Sequence, residues 1–164
     1  MTRFLLTCAA LALGACTTAQ TPATAPASDE TPAATLTGAA FLARNATASD
    51  VVTTASGLQY RIVKSGPATG PHPRPEDTVS FDYEGKLLNG ETFDSSYTEG
   101  KPLSGQVSKF VPGFSEALQL MRPGDEWIVW IPPKLGYGEK EVGPIPPNSV
   151  LRFKLELHTV TPAS

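Results

Sequence analysis

The chain has 164 residues, 40% hydrophobic and 18% charged, which allows one domain of ordinary size plus appendages. A formal charge of -3 with no basic face or run offers a polyanion no counterion release, so nucleic-acid binding is excluded. Both cysteines, Cys8 and Cys16, fall near the start of the chain, and the prolines gather in loops and in the N-terminal third.

Arg3 supplies a positive n-region, and Phe4 to Ala12 is an apolar stretch too short to span a bilayer. It ends at Leu13-Gly14-Ala15-Cys16, which resembles a bacterial lipoprotein cleavage site. Residues 1–15 are therefore expected to be a signal peptide, and Cys16 the lipidated first residue of a mature chain without a free thiol. Several acyl chains on one residue anchor stably, since each buried methylene contributes roughly 0.8 kcal/mol. Thr17 is not the aspartate that marks inner-membrane retention, so an outer-membrane address facing the periplasm is expected. Thr, Ala and Pro dominate up to Thr35, so residues 16–35 read as lipidated Cys16 and a disordered tether.

Residues 36–54 read as a short helix and lead-in. Thr37 can cap a helix through Gly38 to Asn45, and Val51 to Thr54 opens toward the domain. The segment Ser56 to Val63 alternates, with Leu58, Tyr60 and Ile62 on one face of a strand. Ser65 to Glu76 is a proline-rich loop in which His72 is expected to be solvated. Thr78 to Gly85 alternates with Val79, Phe81 and Tyr83 inward, and Asn89-Gly90 signals a hairpin into Thr92-Phe93. Pro112 begins a helix carrying Phe114, Ala117, Leu118 and Met121 at helical spacing, and Pro123-Gly124 stops it. Trp127 to Ile131 is a continuous apolar strand, and Val150 to Val160 alternates again, with His158 at the surface. The acidic residues read as scattered over exposed strand faces. This pattern predicts an α+β domain, an antiparallel sheet of about five or six strands burying one face against a helix.

No histidine pairs with a thiol or serine at a catalytic spacing, and no ligand cluster suits a metal. The remaining signal is a density of aromatic and branched residues beside Gly and Pro corners. These are Tyr83, Phe93, Phe110, Val111, Phe114, Tyr137, Ile145 and Phe153. Each alone would be read as core.

Taken in order, however, several motifs match a known family. They are Val79-Ser80-Phe81-Asp82-Tyr83-Glu84-Gly85, Phe93-Asp94-Ser95-Ser96, Phe110-Val111-Pro112-Gly113-Phe114, Leu135-Gly136-Tyr137-Gly138 and Ile145-Pro146-Pro147-Asn148. Together they resemble the FKBP-type peptidyl-prolyl isomerases over roughly Ser56 to Val160. The lead-in Val51 to Tyr60 is similar to the bacterial branch that includes macrophage infectivity potentiator proteins.

The resemblance implies a twisted antiparallel sheet wrapped around one helix, with an isomerase domain over residues 55–162. It implies Phe114 as the floor of a proline pocket, with Tyr83, Phe93, Phe110, Val111 and Phe153 around it. Tyr137 would donate its hydroxyl to a substrate carbonyl, the Ile145 backbone N–H would pin the peptide, and Asp94 would orient polar groups at the twisting amide. No cofactor or metal is expected. Partners would be proline-containing peptides, unfolded exported proteins and macrolides. With only a tether and one short helix before the domain, a monomer is expected. Three positions depart from the family pattern. Phe114 replaces a tryptophan, Glu99 replaces an arginine that can pair with the corner aspartate, and an ungapped alignment puts Gly105 where a wall phenylalanine stands. The expected function is thus a lipid-anchored prolyl isomerase of the envelope. The alternative is a peptide-binding chaperone or adaptor with weak turnover.

Overall fold

The computed structural model describes residues 37–163. The expected signal peptide, the lipidated Cys16 and the tether lie outside these residues. Helix α1 spans Gly38–Asn45, where Thr37 Oγ1 accepts the Ala40 N–H at 3.3 Å as the expected cap. Strands β1 (Val52–Thr53), β2 (Gln59–Lys64) and β3 (Thr78–Lys86) follow. Next come β4 (Thr92–Ser95), the single turn α2 (Ser96–Glu99) and β5 (Leu103–Gln106). The chain then forms α3 (Pro112–Leu120), β6 (Glu126–Ile131) and β7 (Leu151–Thr161).

The α+β expectation holds, with seven strands among the described residues rather than five or six. The sheet is antiparallel in the order β1-β2-β6-β7-β3-β4, with β5 also paired to β3. The two short strands β1 and β5 were not foreseen, because two or four residues carry no readable period. β5 exists because Thr78 to Phe81 of β3 offers an edge for Leu103 to Gln106.

Alternation places Val79, Phe81, Leu155 and Leu157 in one core with Phe114, Ala117, Leu118 and Met121 of α3. The run Trp127 to Ile131 is apolar throughout because both its faces are covered. Trp127, Val129 and Ile131 join the main core, while Ile128 and Trp130 pack with Val150 beneath Phe41 and Leu42 of α1. Buried Gln59 ties α1 to the sheet: its Nε2 donates to Leu42 O at 2.9 Å, and its Oε1 accepts from Asn45 Nδ2 at 2.8 Å.

Ile62, on the strand face shared with Leu58 and Tyr60, is 49% exposed, and the register of β2 against β6 shifts just beyond it. Three expectations need correction. His72 is exposed but engaged. Its Nε2 accepts from Arg122 Nε at 3.0 Å, which leaves Nδ1 to donate to Met121 O at 3.1 Å and pins the proline loop to the end of α3. His158 is half-buried against Asp82, with Nε2 to Oδ2 at 2.7 Å. Finally, not every acid lies on an exposed strand face. Buried Asp77 accepts the N–H groups of Arg74 (2.8 Å) and Ala163 (3.0 Å), and buried Asp125 accepts those of Arg122 (2.8 Å) and Gly66. Such carboxylates supply acceptors where a loop turns away from the sheet.

These contacts predict acid sensitivity. Hydrogen bonds from the Arg74 and Ala163 N–H groups hold Asp77 below the usual carboxylate range, and the Ser96 hydroxyl, then His158, does so for Asp82. A depressed folded-state pKa contributes stability that is complete above the unfolded value, about 3.9, and fades as pH falls through the folded value. The urea midpoint should therefore drop below about pH 4. Asp82→Asn should lose less on going from pH 6 to pH 3 than the parent does, and an identical loss would contradict the assignment.

Candidate active site

The site forms where the edge of β3 changes partner. β5 pairs with β3 at Thr78 to Phe81, and β4 pairs with it from Glu84 to Lys86. Between these half-edges the Tyr83 N–H has no strand partner, and Ser96 Oγ at the start of α2 accepts it at 3.0 Å. Ser96 Oγ in turn donates to Asp82 Oδ1 at 2.6 Å, and His158 holds the other oxygen of that carboxylate. The chain therefore bends at Ser95-Ser96 and leaves Phe93 and Asp94 on the rim of a hollow.

That hollow is a cavity of about 310 Å³ between the sheet and α3. Phe114, 5% exposed, is its floor, set edge-on against Phe153 at 5.0 Å and 89° and against Tyr83 at 6.3 Å and 89°. Phe93 stands edge-on to Phe153 at 5.5 Å, and Phe110 packs on Phe114 at 5.2 Å. These edge-to-face contacts suit the ring quadrupoles and hold the walls rigid. Val111, Tyr137 and Asp94 also line the cavity. A larger cavity, about 680 Å³ between α1 and the segment after β6, is lined by no aromatic ring.

Tyr83 donates its hydroxyl to Asp94 Oδ2 at 2.7 Å. Burial, then the carboxylates of Asp94 and Glu99, push this phenol well above its ordinary range, so it stays a donor across the whole physiological range. Tyr83 thus orients Asp94 where no cation accompanies the corner. The Tyr137 hydroxyl makes no hydrogen bond to any described residue.

Eight of the nine residues expected at the site line the cavity; Ile145 does not. It is 4% exposed within the main core, and its N–H donates to Val142 O at 3.0 Å in a closed pair. On the cavity wall, the Val111 backbone N–H has no acceptor among the described residues. Gly105 is also displaced from the expected wall. A Cβ there would meet Phe110 Cζ at 3.0 Å, so the Phe110 ring covers Gly105, and Leu103 completes the wall. Leu103 and Lys109 were missed, since neither belongs to a periodic segment and only the β5 pairing brings Leu103 round.

A family model described as FKBP-type peptidyl-prolyl cis-trans isomerase matches residues 70–158. The chain belongs to this family. A model of the domain amino terminal to FKBP-type peptidyl-prolyl isomerase matches residues 11–62. The outer membrane protein MIP of Legionella longbeachae is 46% identical over 128 residues, covering 77% of this chain and 54% of its own. Among solved structures, FkpA from Escherichia coli aligns with a TM-score of 0.73 at 40% identity, over 77% of this chain and 59% of that one. A peptidyl-prolyl cis-trans isomerase from Pseudomonas syringae pv. tomato gives 0.70 at 30% identity, over 76% of this chain and 91% of that one. The chain spans about half the length of the curated relatives it matches. Its FKBP-type domain is therefore common ground with proteins that are themselves longer.

Proposed function

We propose that the chain is a peptidyl-prolyl cis-trans isomerase acting on exported proteins, held in the cell envelope by a lipid on Cys16. The observation that carries this reading is the rigid aromatic cavity, in which Asp94 is oriented and two donors, the Tyr137 hydroxyl and the Val111 N–H, are unspent. The relative named an outer membrane protein supports an outer-membrane address.

Rotation about an Xaa-Pro amide must break its resonance, at a cost of about 18–20 kcal/mol. The planar amide is more polar than the twisted one. An apolar enclosure of Phe114, Phe153, Phe93 and Tyr83 therefore disfavours the ground state relative to the transition state. Each 1.4 kcal/mol of such difference raises the rate about tenfold. In this reading the proline ring sits on Phe114, and Tyr137 and the Val111 N–H hold the carbonyls that flank the turning bond. Asp94 meets the amide that loses its resonance. Ile145 supports the loop from the core.

Exchange NMR on a short Leu-Pro peptide with the full chain tests this. The expected result is interconversion well above the uncatalysed rate, which takes tens to hundreds of seconds. Binding without acceleration would leave the adaptor reading in its place. Tyr137→Phe removes one hydrogen bond and should lower kcat/KM about five- to tenfold with the fold unchanged. An unaltered value would remove Tyr137 from the site. For the anchor, Cys16→Ser should move the protein from the membrane to the soluble fraction.

A further inference from the structure

We infer that Lys109 selects substrates bearing a carboxylate side chain next to the isomerised proline; this rests on the isomerase reading above. Lys109 lines the same cavity as Phe114 and Tyr137. It ends a tight 3-10 turn, Val107–Lys109, whose backbone is fixed on several sides. The Val107 N–H donates to Asp77 O at 3.0 Å, the Ser108 N–H to Pro75 O at 2.9 Å, and Ser115 Oγ to Val107 O at 2.7 Å. The backbone that carries Lys109 is therefore anchored, while its ammonium is uncommitted. None of the four ion pairs among the described residues includes it.

The rest of the rim has the opposite sign. Asp94 lines the same cavity, and Glu99 of α2 is near enough to act on the Tyr83 phenol. The potential at the mouth is thus negative near the two carboxylates at β4 and α2 and positive near the ammonium of Lys109. The floor is apolar and takes the proline ring whatever its neighbours. The aromatic floor takes that ring, and the flanking side chains of an extended peptide then lie along the walls and rim, where Lys109 stands. A glutamate or aspartate beside Lys109 gains a partner without displacing one, and a lysine there meets repulsion.

Exchange NMR with the full chain tests the inference on two peptide pairs differing only as Glu against Gln. One pair carries the residue before proline, the other after it, and a Leu-Pro peptide is the reference. The expected result is a preference for Glu of about two- to fivefold in at least one pair at low salt. It should vanish near 0.5 M salt, where screening is nearly complete beyond about 4 Å, and reverse in Lys109→Glu. Equal rates for Glu and Gln in both pairs, or a preference unchanged in Lys109→Glu, would overturn the inference. If even the Leu-Pro reference is not turned over, the isomerase reading fails instead, and the same ratios are read as affinities from chemical-shift titrations. Failure to bind any of the peptides would overturn both.

Discussion

Phe114→Ala should abolish detectable isomerisation and remove about 3–5 kcal/mol of stability. The ring is at once the floor of the cavity and a core residue, in contact with the rings of Phe81, Tyr83, Phe110 and Phe153. Truncation leaves a void between α3 and the sheet that these neighbours cannot close without leaving the walls. Stability and catalysis separate in Phe114→Leu, which keeps most of the volume and loses the aromatic face. That variant should stay folded near room temperature and lose about tenfold in kcat/KM, or 1.4 kcal/mol of transition-state stabilisation. Denaturant melts beside exchange NMR make the comparison. Full activity in Phe114→Leu would show that the floor contributes shape alone.

The second large effect is expected at Gly85, which lies on β3 behind the pocket wall. A Cβ at this position would meet Phe93 Cζ at 2.6 Å and Phe153 Cε1 at 2.8 Å, closer than carbon atoms approach. Gly85→Ala must therefore turn both rings, at a cost of about 1–3 kcal/mol for overpacking. Since Phe153 also stands edge-on to Phe114, the displacement reaches the floor. Activity should fall by tenfold or more, although residue 85 itself presents nothing to a substrate. Ring-proton shifts of Phe93 and Phe153, read alongside kcat/KM, check the route. A drop in stability with unmoved rings and full turnover would mean the strain is absorbed elsewhere in β3.

Much of the site was legible because its motifs are local. Phe93-Asp94 follows a hairpin signal, Phe110 to Phe114 enters a helix at a proline, and Tyr137 stands between two glycines. The failures share one cause. The Ile145 N–H looked available, yet Val142, three residues earlier in the same loop, takes it. Gly105 looked like a hole in the wall, yet Phe110 folds over it and Leu103 arrives on a strand without a pattern of its own. At Glu99 the expectation was different, since a carboxylate there leaves the orientation of Asp94 to other donors, and the Tyr83 hydroxyl of the neighbouring strand is such a donor. Each error concerned which group completes a contact across space.

By itself the sequence determined the α+β class, the long strands and the helix starts at Thr37 and Pro112, because periodicity and turn chemistry are properties of consecutive residues, while the aromatic set around Phe114 was read from the ordered motifs that resemble the family. Only the tertiary structure decided the sheet order and the shared edge of β3. It alone decided the burial of Asp77 and Asp125, the Asp82–Ser96–His158 network, and which donors remain unspent at the cavity. Those depend on pairings between residues far apart in the chain, and a hydrogen-bonding group shows whether it is free only once every neighbour has been placed.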